Sequence, residues 1–218
     1  MTVLPALRLS LLVAFSATLL VAAAGGLAGW ILARRRFPGR DVAAALLSVP
    51  LVLPPTVTGY YLLVLLGRRG WIGAPLQSLA GWSIPFTWAA CVVAAAVMAF
   101  PLMMRAARAA FEQIDPRHEL AAASLGHGPL SILFRVLVPL ARRGLTVGLV
   151  LAFARALGEF GATLLLAGNI PGRTQTLPLA VYEAVATGED RTALVLALCL
   201  TLVSVAVMLV AERLGRSR

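Results

Sequence analysis

The sequence predicts an all-α polytopic membrane protein with about five transmembrane helices. Of its 218 residues, 60% are hydrophobic and only 13% are charged, a composition typical of membrane proteins rather than soluble domains. Its apolar runs reach the ~20 residues that a helix needs to cross the hydrocarbon core of a bilayer. Arginines cluster where these runs end. The lipid bilayer is therefore the first partner that the composition implies.

We assign residues 9–212 to a single transmembrane domain. The predicted spans within it cover approximately residues 9–33, 42–66, 86–104, 145–167 and 192–210. The first span is too long for the apolar part of a cleaved signal peptide, so we expect it to stay in the protein. Its Gly25, Gly26 and Gly29 are expected to let a neighbouring helix pack closely. Residues 213–218 form a basic tail.

The second predicted span contains Pro54 and Pro55 in its interior. A proline at membrane depth leaves backbone carbonyls without a helical partner, so they must face protein or a water-filled route. Two interpretations stay open. The prolines either shape a kink that serves helix packing, or break the helix beside a transport pathway.

Residues 111–143 form a predicted cytoplasmic loop between the third and fourth spans. Within it, Asp115 is placed to cap a helix that begins at Pro116, and Gly126 is placed to end that helix. A turn follows, and a second helix begins that Pro139 interrupts or ends. The product is a short helix–turn–helix with a slim, alanine-rich face, which favours docking of another protein.

The outline of this loop also fits two other interpretations. It could be an amphipathic re-entry loop without any partner, as many polytopic proteins contain. A DNA-reading helix–turn–helix has a similar shape, but a module tethered at both ends to apolar spans argues against it. No nucleic acid is therefore expected as a partner.

The basic residues predict the orientation of the chain. All 19 are arginine, and a phosphate-binding P-loop requires a lysine, so the chain is not a conventional ATPase by itself. The arginines lie where spans end, which makes them topology signals rather than a polyanion-binding face. Thirteen lie on the side of the predicted loop and five on the other. This distribution predicts a cytoplasmic loop and C-terminus and an external N-terminus.

Arg155 and Glu159 are the two ionisable side chains inside the fourth predicted span. They are four residues apart, on one helical face, where they are spaced to pair. A charge at bilayer depth costs at least ~2.5 kcal/mol on insertion scales, so it normally faces protein or water. Either the pair fixes helix packing, or it lines the route of an anion whose electrostatic barrier Arg155 lowers.

No residue pattern indicates covalent catalysis or a metal site. Cys91 and Cys199 lie inside apolar runs without partner spacing, which favours a packing role. The cytoplasmic segments contain no Ser/His/Asp arrangement, Cys/His cluster or paired carboxylates. We therefore predict no catalytic residue, no metal and no cofactor bound by this chain.

The loop resembles the cytoplasmic EAA loop of binding-protein-dependent ABC permeases. The resemblance rests on the pattern Glu119-x-Ala121-Ala122-x-x-Leu125-Gly126 and on Pro139, thirteen positions after Gly126. Leu120 stands between Glu119 and the alanines, a displaced form similar to that of molybdate permeases. The stretches 53–60, 154–163, 169–172 and 176–178 also resemble molybdate permeases, so the likeness covers nearly the whole chain.

This resemblance implies the fold of an ABC type I importer permease and the role of its membrane subunit. In that family the loop couples the permease to a separate cytoplasmic ABC ATPase, which binds the ATP. The coupling residues carried over are Glu119, Ala121, Ala122, Leu125, Gly126, His127, Gly128 and Pro139. The implied partners are a second copy of this chain in a two-fold homodimer, two ATPase subunits and an external substrate-binding protein. The implied substrate is molybdate, imported across the cytoplasmic membrane.

Other functions stay open as alternatives. Permeases for tungstate, sulfate or thiosulfate are close relatives, so another oxyanion is an alternative substrate. An ion-coupled secondary transporter that works alone usually has internal repeats and a midplane ionisable site, and five spans do not divide into two matched halves. A non-transporting membrane scaffold would explain the loop but not the buried charges or the prolines of the second span.

Overall fold

The computed structural model describes residues 3–216, and these residues are helical with short connections. The helices are α1 (Val3–Arg34), α2 (Arg40–Ser48), α3 (Pro55–Leu66), α4 (Gly73–Ala80), α5 (Trp88–Glu112), α6 (Arg117–Ser124), α7 (Pro129–Ile132), α8 (Val138–Leu157), α9 (Gly161–Ala167), α10 (Leu177–Ala186) and α11 (Asp190–Arg216). A 3₁₀ turn, Val49–Leu51, extends α2, and a π-helical turn, Leu133–Leu137, joins α7 to α8. The predicted all-α class is confirmed.

Four helical stretches are long and apolar enough to cross a membrane. They are Val3–Arg34, Trp88–Glu112, Pro129–Leu157 and Asp190–Val210. A fifth candidate is a pair of helices, Arg40–Leu51 and Pro55–Leu66, bent by 107° where they meet. By length and composition, the described residues therefore hold four to five candidate spans, in agreement with the predicted number.

The second predicted span is broken rather than continuous. Pro54 has extended backbone angles, φ −53° and ψ 136°, and Pro55 opens the new helix α3. A residue that precedes a proline is disfavoured in the helical conformation, and both Leu53 and Pro54 precede one. Pro55 fits the first position of α3 because its missing N–H would have no helical acceptor there. The consecutive prolines therefore account for the sharp bend.

The fourth span also differs from its predicted boundaries of 145–167. One helical path runs from Pro129 to Leu157 and stops, and α9 begins after a break at residues 158–160. Pro139 does not end this path; it lies at the start of α8, directly after a π-helical turn that interrupts the α-helical hydrogen-bond pattern. In that turn the Val138 N–H bonds to Leu133 O, five residues back. This rearranged backbone makes room for the proline ring.

Segments predicted as connections contain further helices. In the stretch 168–190, the apolar helix α10 is ten residues long, too short to span a bilayer. Its Leu177 and Ala180 are buried in a cluster with residues of α1 and α11, and the Leu177 N–H donates to Ser10 Oγ at 2.7 Å. At the C-terminus, α11 continues into the predicted tail as far as Arg216, and Arg218 lies outside the described residues.

Small residues place α5 in close contact with both α1 and α8. A β-carbon at Gly29 of α1 would lie 2.6 Å from Ala107 Cβ of α5. On the other side, a β-carbon at Gly144 of α8 would lie 2.5 Å from Ala110 Cβ. Such approaches require glycine, since real β-carbons do not come this near. The close packing expected of the first span is present, with α5 as its partner.

Candidate functional site

Most of the predicted coupling residues lie on the short helix α6 and the turns beside it. We call residues 113–128, between α5 and α7, the docking loop. Asp115 Oδ1 accepts a hydrogen bond from the Arg117 N–H at 2.8 Å, which satisfies a free donor at the start of α6. Gly126 has φ +83°, in the left-handed region that favours glycine, and lies just beyond the end of α6. These two residues therefore bound the helix.

The eight predicted coupling residues differ in exposure. Six are exposed, namely Ala121, Leu125, Gly126, His127, Gly128 and Pro139. Ala122 is buried, and the Glu119 carboxylate lies 2.9 Å from the guanidinium of Arg34, the last residue of α1. Pro139 lies on α8, outside the docking loop. The structure therefore groups the other seven on one loop, with Glu119 turned toward its own chain.

Two leucines give the docking loop an apolar surface. Leu120 is 69% exposed and Leu125 is 79% exposed, although charged and polar residues precede them in the loop. Exposed apolar side chains within a polar segment are typical of protein contact sites. Sequence reasoning treated Leu120 only as an insertion before the alanines and did not assign it a contact. Its apolar character within a short charged segment was the available signal.

Arg155 and Glu159 form an ion pair at the break between α8 and α9. Arg155 Nη1 and Glu159 Oε2 are 2.7 Å apart. The other carboxylate oxygen, Oε1, accepts a hydrogen bond from the Ala162 N–H at 2.8 Å, in the first turn of α9. Glu159 is buried, whereas 26% of the Arg155 side chain is exposed. The carboxylate is therefore held between a guanidinium and a helix start, where negative charge is favoured.

The break in the second span meets the break after α8. A β-carbon at Gly161 would lie 2.9 Å from Pro55 Cβ and 3.2 Å from the Thr56 backbone nitrogen. One at Gly59 would lie 2.7 Å from Ala162 Cα. The first turn of α3 therefore packs directly on the first turn of α9. Two features that the sequence singled out separately, the proline pair and the charged pair, lie at neighbouring breaks in two spans.

The sequence did not lead us to predict a polar cluster that lies beside the break at residues 158–160. The Glu183 carboxylate, on α10, accepts hydrogen bonds from Asn169 Nδ2 at 2.9 Å and from Gln175 Nε2. The adjacent Tyr182 contacts Phe160, a residue of the break, with ring centroids 5.3 Å apart. These contacts fix the connection between α9 and α10 against the broken span. A glutamate within the apolar sequence of α10 was the signal that could have revealed it.

Comparisons with known proteins agree with this architecture. Residues 25–218 match the family described as "Binding-protein-dependent transport system inner membrane component". The molybdenum transport system permease protein ModB of Escherichia coli (strain K12) is 46% identical over 215 residues, which cover 97% of this chain and 93% of that protein. ModB of Haemophilus influenzae is 45% identical over 190 residues, 86% of this chain and 83% of that protein.

A solved structure also shares the fold. It is described as inward-facing conformations of the MetNI methionine ABC transporter, and one of its chains matches with a TM-score of 0.74. The match covers 99% of this chain and 96% of that chain at 18% sequence identity. At that identity the likeness shows the fold alone. The predicted fold, that of an ABC importer permease, is confirmed.

Proposed function

Because the chain belongs to the family of binding-protein-dependent transport system inner membrane components, we propose that it is the membrane-spanning subunit of an ATP-driven molybdate importer. The observation that carries the substrate assignment is the 46% identity to a molybdenum permease across 97% of the chain. The chain is a multi-pass protein of the inner membrane and a permease subunit rather than an enzyme. ATP hydrolysis takes place on a separate subunit.

The docking loop is the surface that we assign to this ATPase. Its exposed alanines and glycines let a partner approach the α6 backbone closely, and the exposed Leu120 and Leu125 offer that partner an apolar contact. The distribution of arginines, thirteen against five, supports a cytoplasmic docking loop and C-terminus and an external N-terminus. Each chain has one such loop, so two chains related by a two-fold axis would serve a pair of ATPases. An external binding protein would deliver the substrate from the opposite side.

The helical path from Pro129 to Leu157 connects the docking loop to the break in the fourth span. It begins where the loop ends and stops two residues after Arg155. A rigid displacement of the loop therefore reaches the ion pair at the break through continuous helix. ATP-driven closure of the ATPases would move both loops, and the spans would switch between inward- and outward-facing states.

The ion pair at the break suits a route for an oxyanion. The Arg155 guanidinium is partly exposed while its partner carboxylate is buried, so the positive member of the pair is the one within reach of a passing anion. A guanidinium matches the geometry of a tetrahedral oxyanion. Non-helical backbone at membrane depth is tolerated where it is buried in protein or lines a water-filled cavity. Arg155 lowers the electrostatic barrier in this proposal, and Glu159 fixes its position.

ATPase stimulation in the reconstituted complex tests the proposal. The permease, its ATPase and the binding protein are combined in liposomes, with molybdate, tungstate or sulfate as the ligand of the binding protein. We expect ATP hydrolysis and uptake to be stimulated most strongly by molybdate. Stimulation by sulfate alone would reassign the substrate, and uptake by the lone chain in vesicles without ATP would indicate a secondary transporter.

A further inference from the structure

Arg34, the last residue of α1, connects three parts of the chain. Its Nη2 donates a hydrogen bond to Ile114 O, in the docking loop, at 2.8 Å. Its Nε lies 2.9 Å from Glu119 Oε1, in the first turn of α6. Only 12% of its side chain is exposed, whereas the next two residues, Arg35 and Arg36, are exposed. The polar link between α1 and the docking loop therefore comes from one arginine of the three.

The attachment of α6 to the rest of the chain depends on few contacts. Ala122 is its buried residue, and it belongs to the same hydrophobic cluster as Ile132 and Leu133. Glu119 adds an ion pair, because its carboxylate lies 2.9 Å from the Arg34 Nε and in the first helical turn, where negative charge is favoured. Arg34 is therefore one of the contacts that set the position of α6.

The covalent connections of the docking loop lead to other helices. The loop follows α5 directly, and it continues into the helical path that includes α8. The helix α1 ends 78 positions before α5 does, at Arg34 against Glu112, so the chain itself does not join α1 to the loop locally. Besides the packing of α5 on α1, the side chain of Arg34 gives the docking loop a direct contact with the end of α1.

We infer that Arg34 is a positioning residue for coupling, which ties the docking helix α6 to the end of α1. The inference rests on the proposed function and adds to it a use for Glu119 inside its own chain rather than on the ATPase surface. When the ATPase moves the loop, Arg34 makes α1 move with it. Because α1 packs closely on α5 through Gly29, the two helices then move as one unit.

Charge reversal in the complete transporter tests this inference. Arg34→Glu and Glu119→Arg are compared singly and together, with Arg36→Glu as a control that reverses the same charge at an exposed neighbour. The measurement is molybdate uptake per ATP hydrolysed, alongside the amount of ATPase that co-purifies. We expect each single reversal to lower uptake per ATP about fivefold or more while ATPase is retained. The control should stay near the wild-type ratio.

The double reversal distinguishes a specific contact between Arg34 and Glu119 from a general loss of folding or insertion. If the two side chains act through each other, the double variant should exceed each single variant about threefold in uptake per ATP. A double variant no better than the singles, or an equal loss in Arg36→Glu, would overturn the inference. Should the reversals prevent insertion, Glu119→Gln removes the charge at constant shape, and an unchanged uptake per ATP in that variant would overturn the inference equally. Failure of the wild-type chain to retain any ATPase would instead contradict the proposed function.

Discussion

Gly161 and Pro55 lie in contact at the first turns of two different helices, α9 and α3. A β-carbon at Gly161 would be 2.9 Å from Pro55 Cβ, closer than a side chain can normally approach. The contact joins the start of α3, created by the proline pair, to the start of α9, which follows the break after Arg155. A conformational change in either broken span is therefore transmitted to the other.

Substitution of Gly161 tests this contact. Gly161→Ala inserts a methyl group into closely packed backbone, which should destabilise the protein by about 1–3 kcal/mol. Gly158→Ala, three residues earlier and inside the break, is the matched control because its β-carbon would meet Ala154 O at an ordinary 3.7 Å. Thermal unfolding in detergent compares the two variants. Equal melting temperatures would show that the two helix starts do not pack as described.

The Arg155–Glu159 pair has either a packing or a pathway role, and two variants separate them. Arg155→Ala leaves a buried carboxylate without its cation, which should cost about 3 kcal/mol or more and impair assembly. In the double variant with Glu159→Gln, no unpaired charge remains, so assembly should recover. We expect molybdate flux to stay low in this double variant, because the guanidinium is still missing. Recovery of flux together with assembly would assign the pair to packing.

Gly126 tests the role of the docking loop. Its φ of +83° disfavours any branched side chain, so Gly126→Val should shift the end of α6 at a cost of about 1–2 kcal/mol. We expect the variant to insert normally but to lose about tenfold in affinity for the ATPase, measured by co-purification at graded ATPase concentrations. Gly172→Val imposes the same type of strain, at φ +73°, in the connection before α10. Normal ATPase binding by the Gly126 variant would show that the docking loop does not contribute to the contact with the ATPase.

The packing of α1 on α5 gives a stability prediction. Gly29→Ala would place a β-carbon 2.7 Å from Met104 O, whereas Gly26→Ala meets only Met103 Cε at 3.8 Å. The Gly29 variant should therefore lose about 1–3 kcal/mol of stability and the Gly26 variant little. Thermal unfolding of the purified chain in detergent measures both. A comparable loss in the two variants would contradict the close approach at Gly29.

The sequence predicts the number of spans well because apolar length and arginine-flanked ends are local properties. It does not predict the break at residues 158–160, since the apolar run continues from Leu145 to Ala167. At the break, the Glu159 carboxylate accepts a hydrogen bond from the Ala162 N–H in the first turn of α9. Helical periodicity predicts that Glu159 pairs with Arg155, because it places both residues on one helix. It does not predict that Glu159 lies in the break after that helix.

The candidate site likewise contains some features that depend on neighbouring residues in the sequence and others that depend on distant ones. The ends of α6 follow from Asp115 and Gly126, which act on backbone groups a few residues away. The partner of Glu119 does not, because Arg34 is 85 positions earlier in the chain and no spacing rule relates them. The contact of Pro55 with Gly161 joins residues that are even farther apart in the sequence. Contacts between spans depend on how the helices pack, which a single sequence does not specify.

Accessibility of position 127 tests most directly whether motion enters the permease from a cytoplasmic ATPase. His127→Cys is made in a chain whose Cys91 and Cys199 are replaced by alanine, with Gly172→Cys as the counterpart in the connection expected outside. A membrane-impermeant thiol reagent should label position 172 in intact cells, and position 127 only after the membrane is permeabilised. Labelling of position 127 in intact cells would place the docking loop outside, beyond the reach of any ATPase, and would contradict the proposed mechanism.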